Sequence, residues 1–340
     1  MTQTGPMTAA VPAGGTPQEG SAGGGRRPAR RRRAGLDRIS LMVVFLGLPF
    51  LFYVLMVLYP FTQATYYSLT AWTGFSPEQP FVGLGNYARL ASDGQFRTAL
   101  GNSLTLLVVV PAVVMVASFA LACLLTFGGS TSGSVRGLRG TAFYRVVSFF
   151  PYVVPAIVIG IIWAQVYDPS GGLLNGVLTA AGADRFTDFA WLGDVDTAMG
   201  ASIAVIVWAF IGFYMVLFVA AIQSIEPELF EAARLDGAGR VRSALSVALP
   251  GIAGSVRTAY VYMGILALDA FVYMQALNPS GGPSSSTLVV TQQIFSTAFS
   301  QGQFGVACAM GVVLAVVTLL FVGLVFAVFR LLGVRGGARG

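Results

Sequence analysis

Six long apolar runs, at about 41–60, 103–127, 146–167, 201–223, 252–275 and 304–332, decide what this chain can fold into. A helix rises about 1.5 Å per residue, so roughly 20 apolar residues cross a hydrocarbon core about 30 Å thick. Within the runs the apolar residues do not show the period-two alternation of a half-buried strand. The chain is 55% hydrophobic and 10% charged, whereas a soluble domain carries about a quarter charged residues. The expected fold is an all-α membrane protein, a polytopic six-helix transmembrane bundle occupying residues 38–332.

The head, residues 1–37, is rich in Gly, Ala, Thr and Pro and carries Arg26, Arg27 and Arg30 to Arg33. Such a composition cannot bury a core, so a disordered, Arg-rich tail is expected. A basic stretch before an apolar run can also open a cleaved signal sequence. The run at 41–60 is long, however, and no small-x-small site follows it, which favours a retained first span. Beside a span, the arginines read as a topology signal and a contact for anionic membrane lipid rather than for nucleic acid.

Arginine placement orients the chain. With the N-terminus in the cytoplasm, 17 of the 20 arginines fall on inner segments, and only Arg89, Arg97 and Arg185 fall outside. That is the positive-inside pattern of a bacterial cell-membrane protein with both termini, including a short tail at 333–340, in the cytoplasm.

What is missing narrows function further. All 20 basic residues are Arg, and a phosphate-binding P-loop requires a Lys. The chain therefore cannot be a P-loop ATPase by itself, and any ATP energy has to come from another subunit. There is no His, the usual proton shuttle and commonest metal ligand. Cys123 and Cys308 fall inside apolar runs and read as small buried hydrophobes.

Between the fourth and fifth runs lies a polar island, residues 224–250, with Glu226, Glu228, Glu231, Arg234, Asp236, Arg240 and Arg242. At roughly 3 kcal/mol per charge in mid-bilayer, burying them would cost on the order of 20 kcal/mol, so the island is in water. Its local pattern predicts two short helices. Pro227 suits a first helical position, with Glu226 and Glu228 at the positive helix end, and Gly237 is a natural stop. A second helix from about Arg240 puts Val241, Ala244, Leu245 and Ala248 on one stripe, and Pro250 breaks it. Leu229, Phe230 and Leu235 offer apolar anchors beside Glu231 and Asp236, and the small Ala232-Ala233 step allows close approach. The residues leave two readings open: a loop lying on lipid headgroups, or a surface for a partner.

The string Glu231-Ala232-Ala233, three residues, Gly237, nine residues, Val247, one residue, Leu249-Pro250 resembles the EAA loop of ABC-importer membrane subunits. Val247 stands where that family usually has Ile. Further likeness to the sugar permeases, of the maltose, glycerol-phosphate and multiple-sugar branch, covers about residues 40–332. It lies in Phe81-Val-Gly-Leu-Gly-Asn86-Tyr87 with Asp93, Phe96 and Asn102, in Tyr144-Arg145 with Phe150, Pro151, Pro155 and Trp163, in Asp168-Pro-Ser-Gly-Gly172 with Asn175, and in Gly281-Gly282-Pro283 with Thr287. The resemblance implies the type I importer permease fold and a coupling role for Glu231, Ala232, Ala233, Asp236, Gly237, Leu249 and Pro250. It implies three partners: a dimer of ATPase subunits using ATP and Mg, a second homologous permease subunit and an extracellular solute-binding protein. This chain itself would be non-catalytic and bind no cofactor.

For the solute path, Asp269 is the one acid inside an apolar run. An ionisable group at membrane depth is a functional candidate, although it can also cap a helix end. Tyr273, Gln275 and Asn278 follow it and could bond hydroxyls. Trp163, Tyr167, Trp208, Phe213, Tyr214 and Tyr262 could stack on a sugar ring or belong to interface belts. With no Arg in the middle or outer part of a span, a neutral sugar or polyol fits better than an anion. An ion-coupled secondary transporter of a small polar solute is the competing reading; it would need several intramembrane polar groups and repeated halves. An intramembrane enzyme lacks its parts: no G-x-S-x-G and no paired intramembrane carboxylates.

Overall fold

The computed structural model describes residues 42–127, 140–331 and 333. The expected disordered head at 1–37, Arg136, Arg139 and the tail beyond Gly333 lie outside them. Among the described residues the chain is helical, with one isolated antiparallel bridge between Thr70 and Phe81.

The helices, in chain order, are α1 (Val43–Tyr67), α2 (Gly85–Ser92), α3 (Gly94–Phe127), α4 (Thr141–Val153) and α5 (Ala156–Val166). There follow α6 (Leu173–Ala180), α7 (Ala198–Gln223), α8 (Pro227–Leu235), α9 (Arg240–Gly251) and α10 (Ala253–Leu268). The last are α11 (Phe271–Leu277), α12 (Val290–Phe295) and α13 (Phe304–Leu331). Four of them, α1, α3, α7 and α13, are long and apolar enough to cross a membrane singly.

The third and fifth apolar runs are not straight spans. Helices α4 and α5 meet at 98°, and α9 and α10 at 74°; counted as bent pairs, they bring the number of spans to six. The first bend has a local cause. Proline disfavours the helical conformation of the residue before it, and Val154, ahead of Pro155, is extended with ψ 134°. The second bend falls at Ile252 (φ −102°, ψ 9°), two residues beyond Pro250. The fifth run breaks once more, at Asp269 and Ala270, where α10 gives way to α11.

Residues up to Pro60 form one compact unit and those from Phe61 onward another. In the first, no described residue is buried. The second has its core where α3 packs on α7 and α10, around Leu106, Val110, Val114, Ile206, Phe218 and Met263. In lipid, helices gain little from burying apolar surface against each other; close backbone approach and interhelical hydrogen bonds matter more. Gly212 of α7 shows why. A Cβ there would collide with the carbonyl of Ser148, so only glycine lets α4 cross α7 at this distance. Nearby, the Ser118 hydroxyl of α3 donates to the Ile211 carbonyl at 2.8 Å.

Side chains tie down the connections expected to face outward. Asn86 donates to the carbonyls of Ser68 (2.8 Å) and Thr70 (2.9 Å), and Asn102 to those of Ser285 (3.2 Å) and Leu288 (2.9 Å). Asp93 accepts from the backbone amides of Gln95 and Phe96 at the head of α3. Residues singled out by resemblance thus hold the scaffold here.

Candidate functional site

The island at 224–250 folds into the two expected helices. Glu226 is the N-cap of α8 and Pro227 its first residue, a position where the missing N–H costs nothing. At the other end Gly237 takes φ +78°, its amide donating to the Arg234 carbonyl at 2.9 Å while the Ala238 amide reaches the Ala233 carbonyl at 2.9 Å. That pair of bonds closes a helix with a left-handed glycine. Helix α9 starts at Arg240 as expected but runs through Pro250 and ends at Gly251.

The faces divide differently from the sequence expectation. Phe230, expected as an outward anchor, is 5% exposed; its ring lies 5.4 Å from that of Phe127 at the end of α3. It pins α8 to the bundle and is not available to a partner. Leu229 and Leu235 do face outward, Leu235 at 90% exposure. Glu231, Ala232, Asp236 and Gly237 are exposed around them, and Ala233 is half-buried. The expected stripe on α9 also splits: Ala244 and Ala248 are buried while Val241 and Leu245 are exposed. Leu249 lies at the far end of α9 in a groove against α3, with exposed Pro250 beside it, apart from the surface of α8. Under α8, Arg145 shares a pocket of about 300 Å³ with Glu231, Arg234 and Phe230.

A second concave feature sits in the bundle. A cavity of about 540 Å³ opens between α4, α7 and α10, lined by Tyr152, Phe213, Tyr214, Ser255, Thr258 and Tyr262 among others. The rings of Tyr152 and Phe213 stack at 4.5 Å, and Tyr262 is 63% exposed. Among the described residues no charged side chain lines it. Aromatic faces beside hydroxyls and without charge suit a neutral polyhydroxylated ring.

Of the expected path residues, Tyr214 lines this cavity, with Phe213 and Tyr262. Trp208 instead meets Trp163 edge-on at 5.4 Å, and Tyr273 packs near Phe210 at 6.2 Å. Asp269 caps the C-terminus of α10, its amide bonded to the Ile265 carbonyl at 3.2 Å. Gln275 and Asn278 are engaged elsewhere: Gln292 donates to the Gln275 side chain and to the Asn278 carbonyl, each at 3.1 Å, and Asn278 donates to Ser202 at 2.9 Å. Sequence reasoning missed Tyr152, Ser255 and Thr258. A signal was present for the last two, since Ser255, Thr258 and Tyr262 recur at i, i+3 and i+7 along one helix face.

Residues 125–335, from the end of α3 through α13, match the family described as binding-protein-dependent transport system inner membrane component. The chain belongs to this family. It is 53% identical, over 93% of its length and 89% of the relative's, to the diacetylchitobiose uptake system permease protein NgcF of Streptomyces coelicolor. It is 31% identical, over 80% of its length and 89% of the relative's, to the multiple sugar-binding transport system permease protein MsmF of Streptococcus mutans. In fold it matches a chain of a bacterial ABC transporter involved in import of the acidic polysaccharide alginate, with TM-score 0.72 at 22% identity, over 88% of this chain and 99% of that one. The protein is thus a membrane-spanning permease component of an ABC importer, built as an all-helical bundle.

Proposed function

We propose that this permease passes a neutral di- or oligosaccharide, of the class named for its Streptomyces relative, through the bundle by way of the cavity between α4, α7 and α10. An extracellular binding protein delivers the sugar, and a second permease subunit completes the path. A pair of separate ATPase subunits, using ATP and Mg, drives the cycle through α8. The island is cytoplasmic in this reading, as are both termini.

The observation that carries the proposal is the outer face of α8. Leu235 at 90% exposure and Leu229 at 52% face outward beside Glu231 and Asp236. Leaving such side chains exposed forfeits roughly 1.5–3 kcal/mol each relative to burial, which a docked partner recovers. Because Phe230 ties α8 to α3, force on that face reaches the bundle core through a packed ring.

The test is ATP-driven uptake of labelled diacetylchitobiose in proteoliposomes holding the assembled transporter. Leu235→Asp and Glu231→Ala should cut uptake at least tenfold and release the ATPase on purification, with thermal stability of the permease within about 0.5 kcal/mol of wild type. Uptake that persists without ATPase and follows a proton or sodium gradient would overturn the reading. So would selective uptake of an acidic sugar.

A further inference from the structure

Under α8 the fold leaves a cation unsatisfied. The pocket of about 300 Å³ there lies where the ends of α3 and α7 meet the starts of α4 and α8. Arg145 enters it from α4, and Glu231 and Arg234 enter it from α8. The Nε of Arg145 is buried and has no hydrogen-bond partner. A guanidinium N–H hidden from water without an acceptor is more costly than a neutral donor in the same place. Among the described residues lining the pocket Glu231 is the one acid. Residues 128–139, which join α3 to α4, contain no Asp or Glu. The acceptor that suits Arg145 therefore stands on the neighbouring helix, and its side chain is exposed.

Helix α4 connects this pocket with the aromatic cavity. Arg145, Ser148 and Tyr152 recur at i, i+3 and i+7, so one face of α4 carries all three. Arg145 lines the pocket, the Ser148 carbonyl abuts Gly212 of α7, and Tyr152 stacks on Phe213 in the cavity wall. Two helical turns, roughly 10 Å, separate the first from the last. Just beyond Tyr152 the helix breaks at Val154, so α4 can shift without carrying α5. The Phe230 ring ties α8 to α3; a pair between Glu231 and Arg145 ties it to α4. Arg234 cannot take that part, because it lies three residues from Glu231 on α8 itself.

We propose that Arg145 is a positioning residue for transport. When the docked ATPase presses α8 toward the bundle, the pocket narrows and Glu231 pairs with Arg145. Helix α4 then follows α8, and Tyr152 shifts against Phe213 in the cavity. The inference rests on the reading of α8 as the ATPase contact.

The experiment measures uptake of labelled diacetylchitobiose and ATP hydrolysis together, in proteoliposomes holding the assembled transporter. Arg145→Gln should lower uptake about tenfold, the size of a lost charge-assisted hydrogen bond, and raise the ATP hydrolysed per sugar moved. In a Glu231→Gln background the same change should lower uptake less than about twofold, because the pair is already gone. Arg145→Lys, which keeps the charge, should recover at least half of the lost uptake. Spin labels on Ala142→Cys and Gly239→Cys, with Cys123 and Cys308 replaced by Ala, follow the distance from α4 to α8 with the pair itself untouched. That distance should shorten when ATP binds. An equal fold loss in both backgrounds, an unchanged ratio of ATP to sugar, Arg145→Lys no better than Arg145→Gln, or a constant distance would overturn the proposal. Failure of the underlying reading looks different: Leu235→Asp would then keep its ATPase.

Discussion

Two polar connections of this molecule, the turn after α5 and the island around α8, are built in opposite ways. In the first, polar side chains turn inward. Asp168 accepts from the Ser170 amide and hydroxyl and from the Gly171 amide at 2.9–3.0 Å. Asn175, 5% exposed, donates to the carbonyls of Pro169 and Phe189 and accepts from the Trp191 indole at 2.7 Å. In the island, no side-chain bond caps the N-terminus of α8. Backbone bonds at Gly237 and one buried ring, Phe230, hold the helix, and its other faces are left outward. A connection whose polar groups are used internally is scaffold. One held by backbone and a single anchor leaves its side chains exposed, which is what the docking role proposed for α8 requires.

The contrast breaks most readily at the anchor. Phe230→Ala should cost about 3–5 kcal/mol of stability, the range for deleting a buried phenyl ring, and detach α8 from α3. Thermal unfolding in detergent together with limited proteolysis of the island would measure it; a loss under about 1 kcal/mol would mean that the ring does not bear the load. Next comes the scaffold turn. Asn175→Ala strands the Trp191 indole N–H and two carbonyls, and should cost about 1–3 kcal/mol while leaving ATPase binding intact. If ATPase binding fell and stability held, the two regions would have been read the wrong way round.

The smallest effect is that of pH on the scaffold turn. Bonds from the Ser170 side chain, then the Gly171 and Ser170 amides, hold the Asp168 carboxyl below its ordinary value of 3.8. A depressed folded value favours the ionised form in the fold. Its stabilisation is therefore complete above the ordinary carboxylate range and is lost as pH falls through the lower folded value. Unfolding midpoints from pH 6 down to about pH 3 should drop more in wild type than in Asp168→Asn; parallel curves would count against the turn. Because Asp168 is only half-buried and water screens its charge, the difference should be slight.

Much of this was legible residue by residue. Six apolar runs gave the bundle, and Pro227 and Gly237 marked both ends of α8, because spans, caps and left-handed glycines are local properties of the chain. Other features were not. Phe230 looked as free as Leu229, since a helix boundary does not say which face meets α3. Gln275 and Asn278 looked like hydroxyl binders, and only the fold brings Gln292 and Ser202 to them. Tyr152 drew no notice because its cavity partners are supplied by α7 and α10, far along the chain.

By itself, then, the sequence determined that the chain crosses a membrane and holds no P-loop, and set the expectation that the island at 224–250 stays in water; composition, charge and apolar length carry these before folding. Tertiary structure decided the direction of Phe230, the aromatic and hydroxyl-lined cavity and the groove between α3 and α9. These depend on pairs of helices distant in the chain meeting at set angles. Close packing in lipid, at points such as Gly212 against Ser148, sets those angles.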